Sequence, residues 1–209
     1  MRQTFALLAV LIPSVVLAAP SAESVSAGAL AAFEAMPLPS VKAAVADVRS
    51  PSVETMRGDF SGFPVQLLFD RSRWTIVGGL NGYPVSLSVD GGADTISGGA
   101  NGASVDLTFD LTSGSAILRG SADSAPLELS IDWQAGTVQG YAHGEPVNLT
   151  FSLDDGTVAG SANGAPVQLA FDAAGGRLTG VMNSAPVDMT IVNGDLSDFL
   201  KSLYLFLKP

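Results

Sequence analysis

From about residue 53 to residue 193 the chain alternates apolar and polar positions in short runs, such as Val147-Asn148-Leu149-Thr150-Phe151 and Val167-Gln168-Leu169-Ala170-Phe171. A period of two predicts half-buried β-strands. The runs recur. Met56, Ile76, Ile96, Leu118, Val138, Val158 and Leu178 stand twenty residues apart at every step but one. The step from Ile96 to Leu118 is 22, which places a two-residue insertion within Leu111 to Ala116. Seven tandem repeats therefore make up the body of the chain.

Two residues after each aliphatic position comes a glycine: Gly58, Gly78, Gly98, Gly120, Gly140, Gly160 and Gly180. Three residues further on stands a turn dipeptide, Asn-Gly at Asn81, Asn101 and Asn163, with Ser61-Gly62, Asp123-Ser124, His143-Gly144 and Asn183-Ser184 in the other repeats. Asn-Gly between two β-like runs signals a type I′ hairpin, because both central residues need positive φ. Proline follows in six repeats, at Pro64, Pro84, Pro126, Pro146, Pro166 and Pro186, with Ser104 the exception. It has no N–H to give, so neighbouring hairpins are expected to splay at their tips. Folding one repeat about a two-residue turn puts Gly160 opposite Val167, Val158 opposite Leu169 and Ala162 opposite Ala165, all on one face. That face is aliphatic, bulky away from the turn and thin near it. The other face is small and polar.

The predicted architecture is mainly β: a tandem-repeat antiparallel hairpin meander of up to fourteen short strands, rolled or barrel-like. A parallel solenoid with one repeat per coil is the competing reading of the period, and Asn-Gly favours the hairpin. A sheet with one aliphatic face must cover it, and short helices at both ends of the chain are expected to do so. Residues 19–52 form an Ala- and Pro-rich segment with Leu30 and Phe33 on one helical face and a second short helix over Val41 to Val48. Residues 194–209 form an amphipathic helix in which Asp195 is the N-cap and Leu196, Phe199, Leu200, Leu203 and Phe206 or Leu207 recur at helical spacing. Before these, residues 1–18 read as a secretory signal cut after Ala18, with Arg2 leading an apolar run from Phe5 to Leu17 that is short for a membrane span.

Composition narrows the function. The formal net charge of −10 opposes a nucleic-acid partner. With no cysteine and one histidine, the chain has no disulfide and few ligands for a transition metal. No cofactor is expected. His143 falls at a turn position, where its tolerance of left-handed geometry accounts for it better than catalysis does. The strand-end aspartates Asp132, Asp154, Asp155 and Asp172 are the best candidates for a calcium site, although Asp also closes tight links with its own side chain. Thr75, Thr95, Thr137 and Thr157 form a hydroxyl row that offers a glycan a flat surface, or simply pairs across strands. The layout is similar in spacing to cell-wall-binding choline repeats, without their aromatic cage. Phe171 to Leu178 is similar to a YD repeat in one unit, with Phe for Tyr. Neither resemblance carries a function across.

The expectation is an exported, non-enzymatic repeat protein, periplasmic, cell-surface or extracellular, serving as a structural or binding module. Its possible partners are an envelope component, a glycan, a lipid or, through open edge strands, another copy of itself. The alternatives are a transmembrane β-barrel and a carrier of an apolar ligand inside a rolled sheet.

Overall fold

The computed structural model describes residues 52–207. The expected signal, and all but Ser52 of the helical segment at 19–52, lie outside the described residues. Fourteen antiparallel strands follow in sequence: β1 (Val53–Phe60), β2 (Phe63–Asp70), β3 (Thr75–Leu80), β4 (Tyr83–Asp90), β5 (Thr95–Ala100), β6 (Ala103–Leu111), β7 (Ser115–Ala122), β8 (Ala125–Asp132), β9 (Thr137–Ala142), β10 (Glu145–Ser152), β11 (Thr157–Ala162), β12 (Ala165–Asp172), β13 (Arg177–Met182) and β14 (Ala185–Val192). Each pairs with its sequence neighbours, and β14 pairs with β1 from Thr55↔Val192 to Phe60↔Val187. The meander is thus a closed barrel, neither an open sheet nor a solenoid. Closure leaves no free edge among the described strands, so self-association through edge strands loses its basis.

Hairpin register follows the alternation, with Gly160↔Val167, Val158↔Leu169 and Ala162↔Ala165 paired between β11 and β12. All seven turn dipeptides have positive φ at both residues, as at Asn163 (52°) and Gly164 (70°). The two-residue insertion lengthens the ladder rather than the loop: β6 and β7 continue to Leu111↔Ala116, where β4 and β5 stop at Asp90↔Thr95. Pairing between hairpins stops short of the prolines. The rung nearest the turns is Ser86↔Gly99 beside Pro84, Val147↔Ala162 beside Pro146 and Gln168↔Val181 beside Pro166.

The repeated glycines form a girdle. Their φ values lie between 142° and 147°, a region closed to residues with a Cβ. A Cβ at Gly160 would run into the Asn148 carbonyl and the Leu149 Cα of the adjoining strand. Gly160 pairs with Leu149 on one side and Val167 on the other, both buried.

Eight strands enclose about as much room as their own side chains fill, and barrels of sixteen or more leave a channel. Fourteen strands therefore need a filler. The chain supplies one after β14. Helix α1 (Leu196–Lys201) is capped by Asp195, whose carboxylate accepts from the Ser197 and Asp198 amides. The helix ends at Lys201, and a 3-10 turn over Leu203–Leu205 carries the chain on, so the single helix expected over 194–209 is shorter than its periodicity suggested. The tighter coil leaves the carbonyls of Leu205, Phe206 and Leu207 open to side chains of the wall. Phe199, Leu200, Leu203, Phe206 and Leu207 are buried in one core with the inward residues of the strands. Phe206 stacks at 4.8 Å on Phe60 and 5.4 Å on Phe199.

Candidate functional site

The barrel has two ends, one formed by the seven turns and one by the links between hairpins. At the turn end the first turn residues point inward. Asn101 donates to the Leu205 carbonyl (3.2 Å), Asn183 to Phe206 (3.2 Å) and Asn163 to Leu207 (2.6 Å). They also join one another: Asn81 donates to Asn101 (3.1 Å), Asn101 to Asp123 (3.3 Å) and Asn163 to Asn183 (3.3 Å). His143 belongs to this ring, with Nε2 4.0 Å from Asp123 Oδ2. The turn asparagines thus do two jobs, setting turn geometry and fastening the plug. Gly58, Gly78, Gly98, Gly120, Gly140, Gly160 and Gly180 lie on the strands behind them, and Pro84, Pro146 and Pro166 sit exposed on the outside.

At the link end the strand-end carboxylates turn back on their own loops. Asp132 accepts from the Gln134 and Ala135 amides (2.9 and 2.8 Å), Asp172 from Ala174 (3.1 Å), and Asp70 and Asp90 do the same in their links. Asp155 bonds Ser152 through both its carboxylate (2.9 Å) and its amide (3.1 Å). Among the described residues no three acidic or imidazole side chains are grouped to hold a metal ion. Thr75, Thr95, Thr137 and Thr157 each open a strand at this end.

The link end also holds a group of residues that the repeat pattern left unremarked. Glu54 on β1 is 3% exposed. The Arg71 guanidinium, from the link after β2, reaches both Glu54 Oε2 and Asp198 Oδ2 at 3.0 Å. Asp198 in turn accepts from Lys201 Nζ at 3.2 Å. This chain of four charges ties the barrel wall to the plug helix. Burial pushes the Glu54 carboxyl up from its ordinary 4.5 to about 7; the neighbouring Asp198 adds to the rise and Arg71 opposes it. Glu54 Oε1 is buried without a hydrogen-bond partner, as is the hydroxyl of Tyr204 on the plug. Burial likewise pushes the Tyr204 phenol up. Between them lies a cavity of about 190 Å³ walled by Phe69, Ile76, Val89, Ile96 and Tyr204, with Glu54, Arg71, Trp74 and Lys201 around it.

Trp74 is 56% exposed at this cavity and has φ 54°. A bulky residue in the left-handed region is a true outlier. The signal that reveals the group is the repeat itself. Two residues before the aliphatic marker, the last three repeats carry Gly136, Gly156 and Gly176, all with φ 65°. The first three carry Glu54, Trp74 and Asp94 instead. A Cβ at Gly156 would meet the Phe171 carbonyl, so the link favours glycine there; Trp74 and Asp94 keep the left-handed backbone at φ 54° without it, whereas Glu54 lies in the extended strand β1. No family model, curated protein or solved structure matches this chain.

Proposed function

We propose that the chain is an exported, non-enzymatic β-repeat protein acting as a binding or structural module of the cell envelope or exterior. One observation carries this reading: the barrel is apolar inside, filled by its own plug, and polar outside. The outward face carries Arg57, Asp59, Asp106, Arg119, Asn148, Gln168 and Asp188, all exposed. A transmembrane barrel needs the reverse. Each Arg or Lys facing lipid at the midplane costs about 2–4 kcal/mol, and spanning strands run to about nine to eleven residues. The strands here have six to nine. A carrier of a bulky apolar ligand needs an empty bore, and Phe199, Leu203 and Phe206 occupy this one. Support for export comes from the apolar leader.

Fractionation of cells expressing the full chain, with and without detergent, tests the proposal. Detergent-free release of a leader-trimmed, β-rich protein by circular dichroism is the expected result. Extraction by detergent alone, with heat-modifiable migration on gels, would replace this reading with the membrane barrel. Retention in the cytosol with the leader intact would remove export.

A further inference from the structure

We propose that the mouth of the turn end, over the first two repeats, binds a neutral two-ring saccharide whose rings lie on Phe63 and Tyr83. The residue after the turn dipeptide is alanine in four units, at Ala103, Ala125, Ala165 and Ala185, and Glu145 in a fifth. The first two units carry aromatic rings there instead. Phe63 pairs with Phe60 and Tyr83 with Leu80, both buried, so the two rings stand on the inward side of the rim. They are nevertheless 53% and 49% exposed. A methyl group suffices for the fold at this position, and two half-exposed rings side by side mark a surface that receives something.

A cavity of about 510 Å³ opens between them, with Phe60, Phe206, Ser61 and Asn81 in its lining. Small-molecule sites run from roughly 300 to 1,000 Å³. Asn101, Asn163 and Asn183 are spent on the plug carbonyls, whereas Asn81 gives its amide to Asn101. Asn81 Oδ1 accepts from no described residue and is not sealed from solvent. Ser61 Oγ donates to the Met182 carbonyl at 3.4 Å and keeps its lone pairs for a second donor. Among the described residues none that lines the cavity is charged, so an ion would enter without a counter-charge. A wholly apolar ligand would strip water from the Asn81 acceptor and give nothing back. A pyranose ring meets both demands, with a C–H face for the electron-rich face of an aromatic ring and a hydroxyl edge for Asn81 and Ser61. Spacing agrees as well. Phe63 on β2 and Tyr83 on β4 stand on either side of β3, two strand spacings or roughly 10 Å apart, which two linked rings span. The Tyr83 ring rests on Gly102 of the next turn, where an added Cβ would come within 3.0 Å of its Cδ1, so its place is set before a ligand arrives.

This inference deepens the reading of the chain as a binding module by naming what it binds. It is read on the purified, folded chain, so it succeeds or fails whatever compartment fractionation assigns, and its failure leaves export untouched. Cellobiose and diacetylchitobiose, whose equatorial substituents leave both ring faces bare, are titrated into the full chain by calorimetry and saturation-transfer NMR. Cyclohexanemethanol, with an apolar ring and one hydroxyl, is the control, and circular dichroism checks the fold. At least one disaccharide is expected to bind saturably, and the alcohol about tenfold more weakly. Phe63→Ala and Tyr83→Ala, which install the residue of four other repeats, should each weaken the sugar about tenfold with little change in melting temperature. Asn81→Gly keeps a turn residue that accepts positive φ and should weaken the sugar severalfold; it also serves where an alanine variant fails to fold. The proposal is overturned by a folded chain that binds neither disaccharide saturably, by equal affinity for sugar and alcohol, or by folded Phe63→Ala, Tyr83→Ala or Asn81→Gly chains that bind as the native chain does.

Discussion

The turn end and the link end of the barrel are built from the same repeats and behave differently. At the turn end turn amides and plug carbonyls meet in a ring of hydrogen bonds in which Asn163 Oδ1 alone of the turn amide oxygens is buried without a partner, and all seven units keep the same turn geometry. At the link end the units diverge, a carboxylate and a phenol are buried with open polar atoms, and a tryptophan holds a glycine's conformation. In a repeat protein each unit is a control for the others. Where they agree, the fold sets the residue; where one departs at a cost, the departure calls for another reason.

The comparison breaks most visibly if the plug is removed. Phe206→Ala should destabilise the barrel by about 3–5 kcal/mol in urea unfolding, since Phe206 is 1% exposed and packs on Phe60 and Phe199. Gly160→Ala should cost about 3 kcal/mol, combining a φ of 142° with overlap on the Asn148 carbonyl. A smaller loss there would mean that the girdle yields more easily than its spacing implies.

The link end should respond to pH through one buried carboxyl. Glu54 is raised by folding from 4.5 to about 7. Its contribution to stability is therefore full below about pH 4.5 and is lost as pH rises through 7, up to about 3 kcal/mol between pH 4.5 and 8. Melting temperatures across that range should fall for the native chain and flatten for Glu54→Gln; parallel curves would count against burial of the carboxyl. The smallest effect belongs to a single turn amide. Asn163→Ala should cost about 1–2 kcal/mol through the orphaned Leu207 carbonyl, independent of pH.

Strand number, register and turn geometry were legible because they are local. Alternation sets which residues face inward, and Asn-Gly sets the turn, so Gly160↔Val167 needed no distant information. Closure was not legible, because β1 meets β14 only after every intervening strand has contributed its twist. The inward role of Asn101, Asn163 and Asn183 was hidden as well. Their turn chemistry already accounts for them, and the carbonyls they reach belong to another part of the chain. Glu54, Arg71 and Trp74 look ordinary one at a time. Glu54 and Trp74 stand out once the seven repeats are aligned two positions ahead of the aliphatic marker, where the last three carry Gly136, Gly156 and Gly176; Arg71, outside that column, is found only by its contacts.

The seam between β1 and β14 gives folding an order. Each hairpin closes from neighbours in sequence, which is fast, whereas the Asn193 amide reaches the Val53 carbonyl across 140 positions. The entropy of so long a closure grows only with the logarithm of length, so the seam is slow to find rather than costly to keep. Until it forms, two strand edges stand open to any passing chain. The plug and β14, the strand that closes the seam on β1, both follow every other strand of the barrel in sequence. A chain emerging from a ribosome therefore keeps both edges open until β14 is out, and a chaperone that binds this protein should find its substrate in that interval.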